Sequence, residues 1–308
     1  MKRREFLKKG AQTGLLAGTA LSIPGFYGQY FAKSSSTIIN KYDLVAIKGG
    51  EPDAMFDEAI KALGGMNTFV KKNQKVVVKP NIGWDVPPER GGNTHPKLVK
   101  RIVEHCYNAG AKEVFVYDNT CDDWRRCYTN SGIEKAVKDA GGKIVPGNTE
   151  NYYQTAEIKK GKVLKSAKFH ELILDSDVFI NVPILKNHGS TRISVALKNL
   201  MGIVWDRRYW HRTDLHQCIA DCPTFRKPDL NIVDAYYVMK KNGPRGVSVA
   251  DVVTMKSQVI ATDIVAADSS SAKIFGIEPE DVSHIGLANS LGVGNKDLSS
   301  LNIHRIIL

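Results

Sequence analysis

Several polar residues that can bind an anion or transfer a proton follow hydrophobic segments of the sequence. Lys79-Pro80-Asn81, Asp118-Asn119-Thr120, Lys186-Asn187-His188 and Asp234 each follow a predicted strand. A lysine in a desolvated position can bind a carboxylate or phosphate, or act as a base, and histidine titrates near neutrality. Turns favour Asn, Asp and Pro for local reasons, so the shared position of these segments, rather than any one residue, predicts a site.

A predicted helix at Ile193 to Val204 carries a narrow polar stripe that includes Ser194, Lys198 and Asn199. If the stripe faces the crevice beside Lys186, then Lys198 and Asn199 supply donors for an anionic or enolate-like oxygen. If it faces water, Ser194 and Lys198 are ordinary surface neighbours at i and i+4. The sequence leaves both orientations open.

Alternating strand and helix patterns must position these residues. Strands are predicted at 44–47, 75–79, 113–117, 144–145, 177–184, 230–233 and 257–261, and helices fill most of the intervals. Repeated βα units predict an α/β fold with a mostly parallel sheet, helices on both faces and a small antiparallel insertion near 155–168. Ligands of such sheets bind beyond the carboxyl ends of the strands, where the polar segments lie.

The N-terminus predicts export. Lys2-Arg3-Arg4-Glu5-Phe6-Leu7-Lys8-Lys9 precedes a short, mildly apolar run, an order that resembles a twin-arginine (Tat) signal over residues 1–32. The run is too short and too polar for a stable bilayer span. We therefore expect a periplasmic protein that meets the twin-arginine translocase. A chance basic terminus on a cytosolic protein is the alternative, and retention of an uncleaved signal as a membrane anchor stays open.

The charge balance favours small anionic partners. The chain has 43 Lys+Arg against 32 Asp+Glu, a formal net charge of +11. The basic residues are spread among acidic and apolar neighbours instead of forming a basic stripe with stacking aromatics, so we do not expect nucleic acid as a partner. An anionic small molecule or membrane surface is compatible with this balance.

Four cysteines lie in or beside two polar loops: Cys121, Cys127, Cys218 and Cys222. Disulfides formed after export are the preferred interpretation, with Cys218 and Cys222 pairing with the other two. A four-thiolate metal or iron–sulphur site is the alternative, although the C-x-x-C spacing is missing. Cys106, on an apolar helix face, is expected to be an inert core thiol.

A family resemblance rests on several motifs: Val78-Lys79-Pro80-Asn81, Asn181 to His188, Ala196-Leu197-Lys198-Asn199-Leu200-Met201-Gly202, Asp234-Ala235, Asn242-Gly243-Pro244-Arg245-Gly246 and the Thr262 to Asp268 segment. Over residues 42–300 the chain resembles the family called domain of unknown function 362, which leaves 301–308 as a C-terminal segment. Some relatives carry a cysteine-rich iron–sulphur domain that this chain lacks. The resemblance implies one α/β domain and no established activity, and it groups eleven residues into one constellation: Lys79, Asn81, Lys186, His188, Lys198, Asn199, Asp234, Asn242, Arg245, Asp263 and Asp268. For Asp263 and Asp268, capping of the helix that they begin is an equal alternative.

The leading functional hypothesis is an exported enzyme that acts on a small anionic substrate. Lys186 or Lys198 would hold the anion, His188 or Asp234 would transfer a proton, and Arg245 would close over the site. The alternatives are a periplasmic binding or assembly protein without turnover, and a redox protein with a thiolate-bound metal or iron–sulphur cluster. The expected substrate-binding residues are Lys79, Asn81, Asn119, Asn187, Asn199, Asn242, Arg245, Asp263 and Asp268.

Overall fold

The computed structural model describes residues 41–308, and the predicted signal segment lies outside the described residues. The strands follow the apolar segments of the sequence. They are β1 (Leu44–Lys48), β2 (Lys75–Pro80), β3 (Glu113–Val116), β4 (Lys143–Ile144), β5 (Tyr153–Glu157), β6 (Ser166–His170), β7 (Val178–Val182), β8 (Ile184–His188), β9 (Arg192–Ser194), β10 (Leu230–Met239), β11 (Val252–Ala261) and β12 (Ile303–Ile307).

Several helices begin at polar or proline residues. For example, the side chain of Asp123 accepts the hydrogen bond that caps one helix, and Pro96 occupies the first turn of another. The helices are α1 (Pro52–Ala62), α2 (Pro96–Asn108), α3 (Trp124–Asn130), α4 (Ile133–Asp139), α5 (Glu171–Asp175), α6 (Ala196–Asn199), α7 (Arg207–Arg212), α8 (Leu215–Asp221), α9 (Ile264–Phe275) and α10 (Ser283–Ser290).

One mixed sheet organises the domain, with the strand order β12-β1-β11-β10-β7-β2-β3-β4. The pairs β1/β12, β7/β10, β2/β7, β2/β3 and β3/β4 are parallel, whereas β11 runs antiparallel to both of its neighbours. A separate antiparallel hairpin joins β5 and β6. The predicted α/β class, mostly parallel with a small antiparallel insertion, is confirmed. Because β12 pairs with β1, the domain extends past residue 300.

Apolar side chains cover both faces of the sheet. In β2 the side chain of Val77 belongs to one apolar cluster, and those of Val76 and Val78 belong to the other, as the two-residue period of a strand requires. Helices α1 and α2 pack on the face of Val76, while α8, α9 and α10 contribute to the cluster of Val77. This double cover fixes the carboxyl ends of β2, β3 and β8 relative to one another.

Two predicted elements differ from the structure. The strand predicted at 177–184 divides at Pro183, which has no N–H to donate to a ladder; β7 ends there, and β8 continues into a hairpin with β9. Lys186-Asn187-His188 is therefore strand, not loop. The helix predicted at 193–204 forms only in part: Ser194 ends β9, and the helical part consists of α6 and a 3-10 turn at Leu200–Ile203. β-Branched Ile193 and Val195 favour the extended start of this segment.

Candidate functional site

A cavity of about 420 Å³ opens where the carboxyl ends of β2, β3 and β8 meet. Its walls come from those strand ends, from α6 and its following turn, and from α7. The predicted site residues that line it are Lys79, Asn81, Asn119, Cys121, Lys186, His188, Lys198 and Asn199. The structure thus brings together residues separated by up to 120 positions, as expected at the carboxyl edge of a parallel sheet.

A buried network of one ion pair and several hydrogen bonds forms the floor of the cavity. Lys79 Nζ lies 2.9 Å from Asp118 Oδ1 and donates to Asn199 Oδ1 at 2.8 Å, and both charged side chains are buried. Asp118 Oδ2 also accepts the N–H of Ile82 at 2.8 Å, and Asn81 Nδ2 donates to Asn199 Oδ1 at 3.1 Å. Burial lowers the pKa of Lys79, and the charge of Asp118 opposes this effect. The floor is therefore an ion pair with its amide partners in place.

Gly202 makes room for that ion pair. A Cβ atom at this position would overlap Asp118 Oδ1 and would stand 2.6 Å from Lys79 Nζ. Real Cβ atoms do not come so close to polar atoms, so a larger residue would displace the pair. The backbone also contributes, because the Gly202 carbonyl accepts the N–H of Asn119 at 3.2 Å.

The wall of the cavity holds two lysines that have no carboxylate partner in the described chain. Lys186 Nζ donates to the Gly92 carbonyl at 2.6 Å and to Asn81 Oδ1 at 3.0 Å. Within residues 41–308, Lys198 Nζ has only the Met201 thioether as a partner, at 3.2 Å, although its side chain is just 8% exposed. A thioether is a weak acceptor for an ammonium with three donors. Lys198 therefore keeps unused hydrogen-bonding capacity that faces the cavity.

Burial shifts the titration of both lysines toward neutrality. Desolvation lowers the pKa of Lys186 to about 7 and the pKa of Lys198 to about 8. Burial, followed by the charges of Lys198 and Lys186, lowers the pKa of His188 to about 3. His188 Nδ1 accepts the N–H of Ser190 at 3.1 Å, so the neutral ring carries its proton on Nε2. Near neutral pH both lysines are therefore present in protonated and neutral forms, whereas His188 is uncharged.

The cavity is strongly cationic. Arg207 and Arg208 of α7 line it together with the three lysines, and Asp118 is the single carboxylate among the lining residues of the described chain. Arg207 is already engaged, because its guanidinium donates to the carbonyls of Asn119, at 2.6 Å, and Thr120. Asn119 in turn donates to the Val204 carbonyl at 2.9 Å. This balance of charge suits an anion.

The loop predicted to present Arg245 borders the cavity through Pro244. Asn187 Oδ1 accepts the N–H of Gly243 at 3.0 Å, and Asn242 donates to Asp251 at 2.7 Å, so both asparagines anchor the loop and do not line the cavity. The Arg245 side chain is 59% exposed and lies 3.5 Å from Asp122. These three predicted binding residues therefore stand at or behind the rim.

Three predicted aspartates lie outside the cavity and accept backbone N–H groups. Asp234 accepts from His95 at 2.7 Å and Tyr236 at 2.9 Å, and Asp263 caps α9. Asp268 accepts from Ala196 at 2.6 Å and so holds the first turn of α6, which carries Lys198. Burial raises the pKa of Asp234, and it raises the pKa of Asp268 to about 8. Asp263 therefore caps a helix, which was the alternative to a binding role. Asp234 and Asp268 are buried and hold backbone N–H groups in place.

The predicted disulfides and thiolate site are not formed. All five cysteines are free thiols. Cys127 lies in the apolar cluster on one face of the sheet, whereas Cys218 and Cys222 lie in the cluster on the other face, so the sheet separates them. Within residues 41–308 no group of three or more His, Cys, Asp or Glu side chains is placed to hold a metal ion. Cys106 is a buried core thiol, and Cys121 alone of the five is exposed.

Some lining residues were not predicted as site residues: Gly83, Trp84, Ile184, Ser194, Val195, Met201, Gly202, Arg207, Arg208, His211 and Pro244. Asp118 belongs to a polar segment that was predicted to lie at the site because it follows a strand, although no role was assigned to this residue. Met201 and Gly202 carry no such signal, because their role depends on the 3-10 turn that follows α6.

A second cavity of about 590 Å³ lies between the β5–β6 hairpin and α7. Its lining includes Lys165, Lys168, Trp205, Tyr209 and Trp210. None of the predicted site residues lines this second cavity. We therefore take the lysine-lined cavity as the candidate site, although its volume is smaller.

The part of the chain that forms this site matches the model of a known protein family. The model of the family described as domain of unknown function (DUF362) matches residues 76–273, which contain every cavity-lining residue. The chain belongs to this family. A thylakoid-associated protein of Synechocystis is 24% identical over 242 residues, which cover 76% of this chain and 73% of that protein.

Two solved structures show partial likeness. The lactate racemase apoprotein of Thermoanaerobacterium thermosaccharolyticum has a TM-score of 0.45 at 10% identity, covering 82% of this chain, and a Thermotoga maritima protein has 0.48 at 12%, covering 73%. This chain spans 57% and 60% of their respective lengths. Residues 41–308 of the DUF362 chain contain no helix that is both long and apolar enough to cross a bilayer.

Proposed function

We propose that this DUF362 protein is an enzyme that binds a small anionic substrate in the lysine-lined cavity and transfers a proton on it. The observation that carries the proposal is Lys198, an ammonium group that is more than nine-tenths buried and has only a thioether partner among residues 41–308. A buried charge without a partner is costly, and an anion in the cavity would supply the missing acceptor. Carboxylates and phosphates are the chemical classes that fit this donor.

The proposal assigns proton transfer to the lysines. A general acid or base works best when its pKa lies near the working pH, and the pKa values of Lys186 and Lys198, lowered by burial to about 7 and about 8, meet that condition. His188, whose pKa burial lowers to about 3, would act as a neutral hydrogen-bonding partner. Asp234, which lies outside the cavity and accepts two backbone N–H groups, would have no direct part.

Anion binding can be tested by calorimetric titration with inorganic phosphate and with pyruvate at pH 6.5. Lys198→Met should weaken binding roughly 10- to 100-fold, because a hydrogen bond to a charged group contributes about 1.5–3 kcal/mol. Lys135→Met, which removes a lysine that is 80% exposed, is the matched control and should bind like the wild type. Equal binding by the Lys198 variant and the wild type would refute the assignment.

Turnover is tested separately with deuterium. If a lysine removes a proton next to the carbonyl of bound pyruvate, the methyl protons should exchange with D2O faster in the presence of the protein, and Lys186→Met should abolish this effect. Binding without exchange, for pyruvate and for a panel of other 2-oxo and 2-hydroxy carboxylates, would favour the alternative of a binding protein without turnover.

Export remains part of the proposal. The twin-arginine motif at residues 1–32 suggests passage through the twin-arginine translocase to the periplasm, with or without retention of the signal as an anchor. Fractionation of cells that produce the full chain, with Arg3 and Arg4 intact or replaced by Lys, tests this. Cytoplasmic protein in both cases would argue against export.

A further inference from the structure

Cys121 is the one cysteine of the chain with an exposed side chain, and it lines the lysine cavity. It lies in the loop that follows β3, and its backbone N–H donates to the Gly83 carbonyl at 2.8 Å. Gly83 belongs to the loop that follows β2, so this bond ties the two loops together at the carboxyl edge of the sheet. The thiol therefore stands where ligands of such sheets bind.

The loop that carries this thiol is held in place on its other side as well. The carbonyls of Asn119 and Thr120 accept hydrogen bonds from the guanidinium of Arg207, and the Thr120 hydroxyl donates to the Asp122 carbonyl at 2.7 Å. Fixed backbone on both sides of a reactive group reduces the entropy lost when it meets a substrate. Cys121 is thus presented to the cavity by an anchored loop.

A second, independent observation points to a ligand beside the thiol. Lys198 is 8% exposed and lines the same cavity, and the Met201 thioether is its only partner in the part of the chain that the structure describes. Burial is the largest influence on the pKa values of Lys186 and Lys198 and lowers both, and Cys121 is the second and opposes it. The thiol and both amines line the same cavity.

We propose that Cys121 is the nucleophile of this cavity and that the substrate is an anion with a carbonyl carbon next to its carboxylate or phosphate group. This inference rests on the proposed function, because the lysines must hold the anion for the carbonyl to reach the thiol. Cationic neighbours are the environment in which cysteines react as thiolates.

The addition step balances without any further reactant. The thiol proton passes to the neutral amine of Lys186, and the sulfur forms a bond to the carbonyl carbon. The π electron pair of the C=O bond moves to oxygen, and this oxygen takes a proton from the ammonium of Lys198. The product is a thiohemiacetal or thiohemiketal, and nothing is oxidised or reduced. Reversal returns the same atoms and protons.

Charge-selective alkylation tests the thiol. Iodoacetate and iodoacetamide transfer similar groups and expel the same iodide, but only iodoacetate is an anion. Peptide mass spectrometry should show Cys121 alkylated at least about tenfold faster by iodoacetate than by iodoacetamide, relative to the same ratio for glutathione. Lys198→Met should remove this preference, and the exposed-lysine control Lys135→Met should keep it. Reaction with both reagents no faster than glutathione would overturn the proposal.

Carbon-13 NMR with [2-13C]glyoxylate tests the addition. Wild-type protein should give a bound signal in the region of a thiohemiacetal carbon, and Cys121→Ser should lose that signal while still binding inorganic phosphate. An imine signal that persists in Cys121→Ser would assign the nucleophile to a lysine and overturn the proposal. If the wild type binds phosphate but forms no adduct, Cys121 is not the nucleophile, and the proposed function still stands. If the wild type does not bind phosphate, the proposed function itself is refuted.

Discussion

The floor and the wall of the cavity use the same residue type in opposite ways. On the floor, Lys79 is paired with Asp118 and bonded to Asn199. On the wall, Lys198 is buried to nearly the same degree but has a thioether as its partner. A buried charge whose partners are present supports the fold, whereas one whose partner is missing is costly unless a ligand supplies it. Lys79 therefore stabilises the structure of the site, whereas Lys198 is available to bind a ligand.

Removal of each lysine in turn should change the free energy of unfolding in different ways. Lys79→Met should lower the free energy of unfolding by about 3–5 kcal/mol, because it leaves the Asp118 carboxylate buried without its cation. Lys198→Met should leave the free energy of unfolding unchanged or raise it, because no carboxylate is orphaned. Urea titrations at pH 7 make the measurement. Equal losses in both variants would show that Lys198 is structural.

The support behind the wall should give an intermediate effect. Asp268→Ala removes the acceptor for the N–H groups of Ala196 and Leu197 and should lower the free energy of unfolding by about 2–3 kcal/mol. Phosphate binding should weaken with it, since α6 carries Lys198. Asp268→Asn keeps an acceptor oxygen and is the matched control.

Asp268 also predicts a pH dependence. Burial raises the pKa of Asp268 to about 8, above the value of about 3.9 in an unfolded chain, so the folded state binds a proton that the unfolded state releases. This contribution to the free energy of unfolding is complete below about pH 4 and is lost as the pH rises through 8. Asp268→Asn should flatten that decline. An unchanged pH profile in the variant would contradict the raised pKa.

The smallest effect is expected at His188. Because burial lowers the pKa of His188 to about 3, the ring is neutral at pH 7, and His188→Gln should change phosphate affinity less than about threefold. Calorimetric titration at pH 6 and pH 8 provides the measurement. A loss as large as that of Lys198→Met would mean that His188 carries charge when the anion binds.

The sequence predicted the positions of the floor better than those of the wall. Lys79, Asn81 and Asp118 lie at or just after the ends of strands whose apolar patterns are plain, and a parallel sheet gathers such ends at one edge. Lys198 was also identified, but on a predicted helix at 193–204 of which only residues 196–203 are helical. Asp268, distant in sequence, accepts the N–H groups of Ala196 and Leu197, and no local pattern could show this contact.

The roles of three aspartates could not be predicted from the sequence either. Asp234, Asp263 and Asp268 have the residue type of a catalytic group, yet each is used to hold backbone N–H groups. Residue type alone cannot separate these two uses, because both need a carboxylate at the end of an element. The partners decide, and they come from other parts of the chain.

Gly202 has a consequence for how this protein can change over generations. The ion pair of Lys79 and Asp118 lies against the α-carbon of Gly202, where even a methyl group would overlap the carboxylate. Neither charged residue can therefore tolerate an alanine at position 202 without moving. A position without a side chain is thus under as strict a constraint as the two charged residues. Any descendant sequence that keeps the ion pair in this place must also keep the glycine.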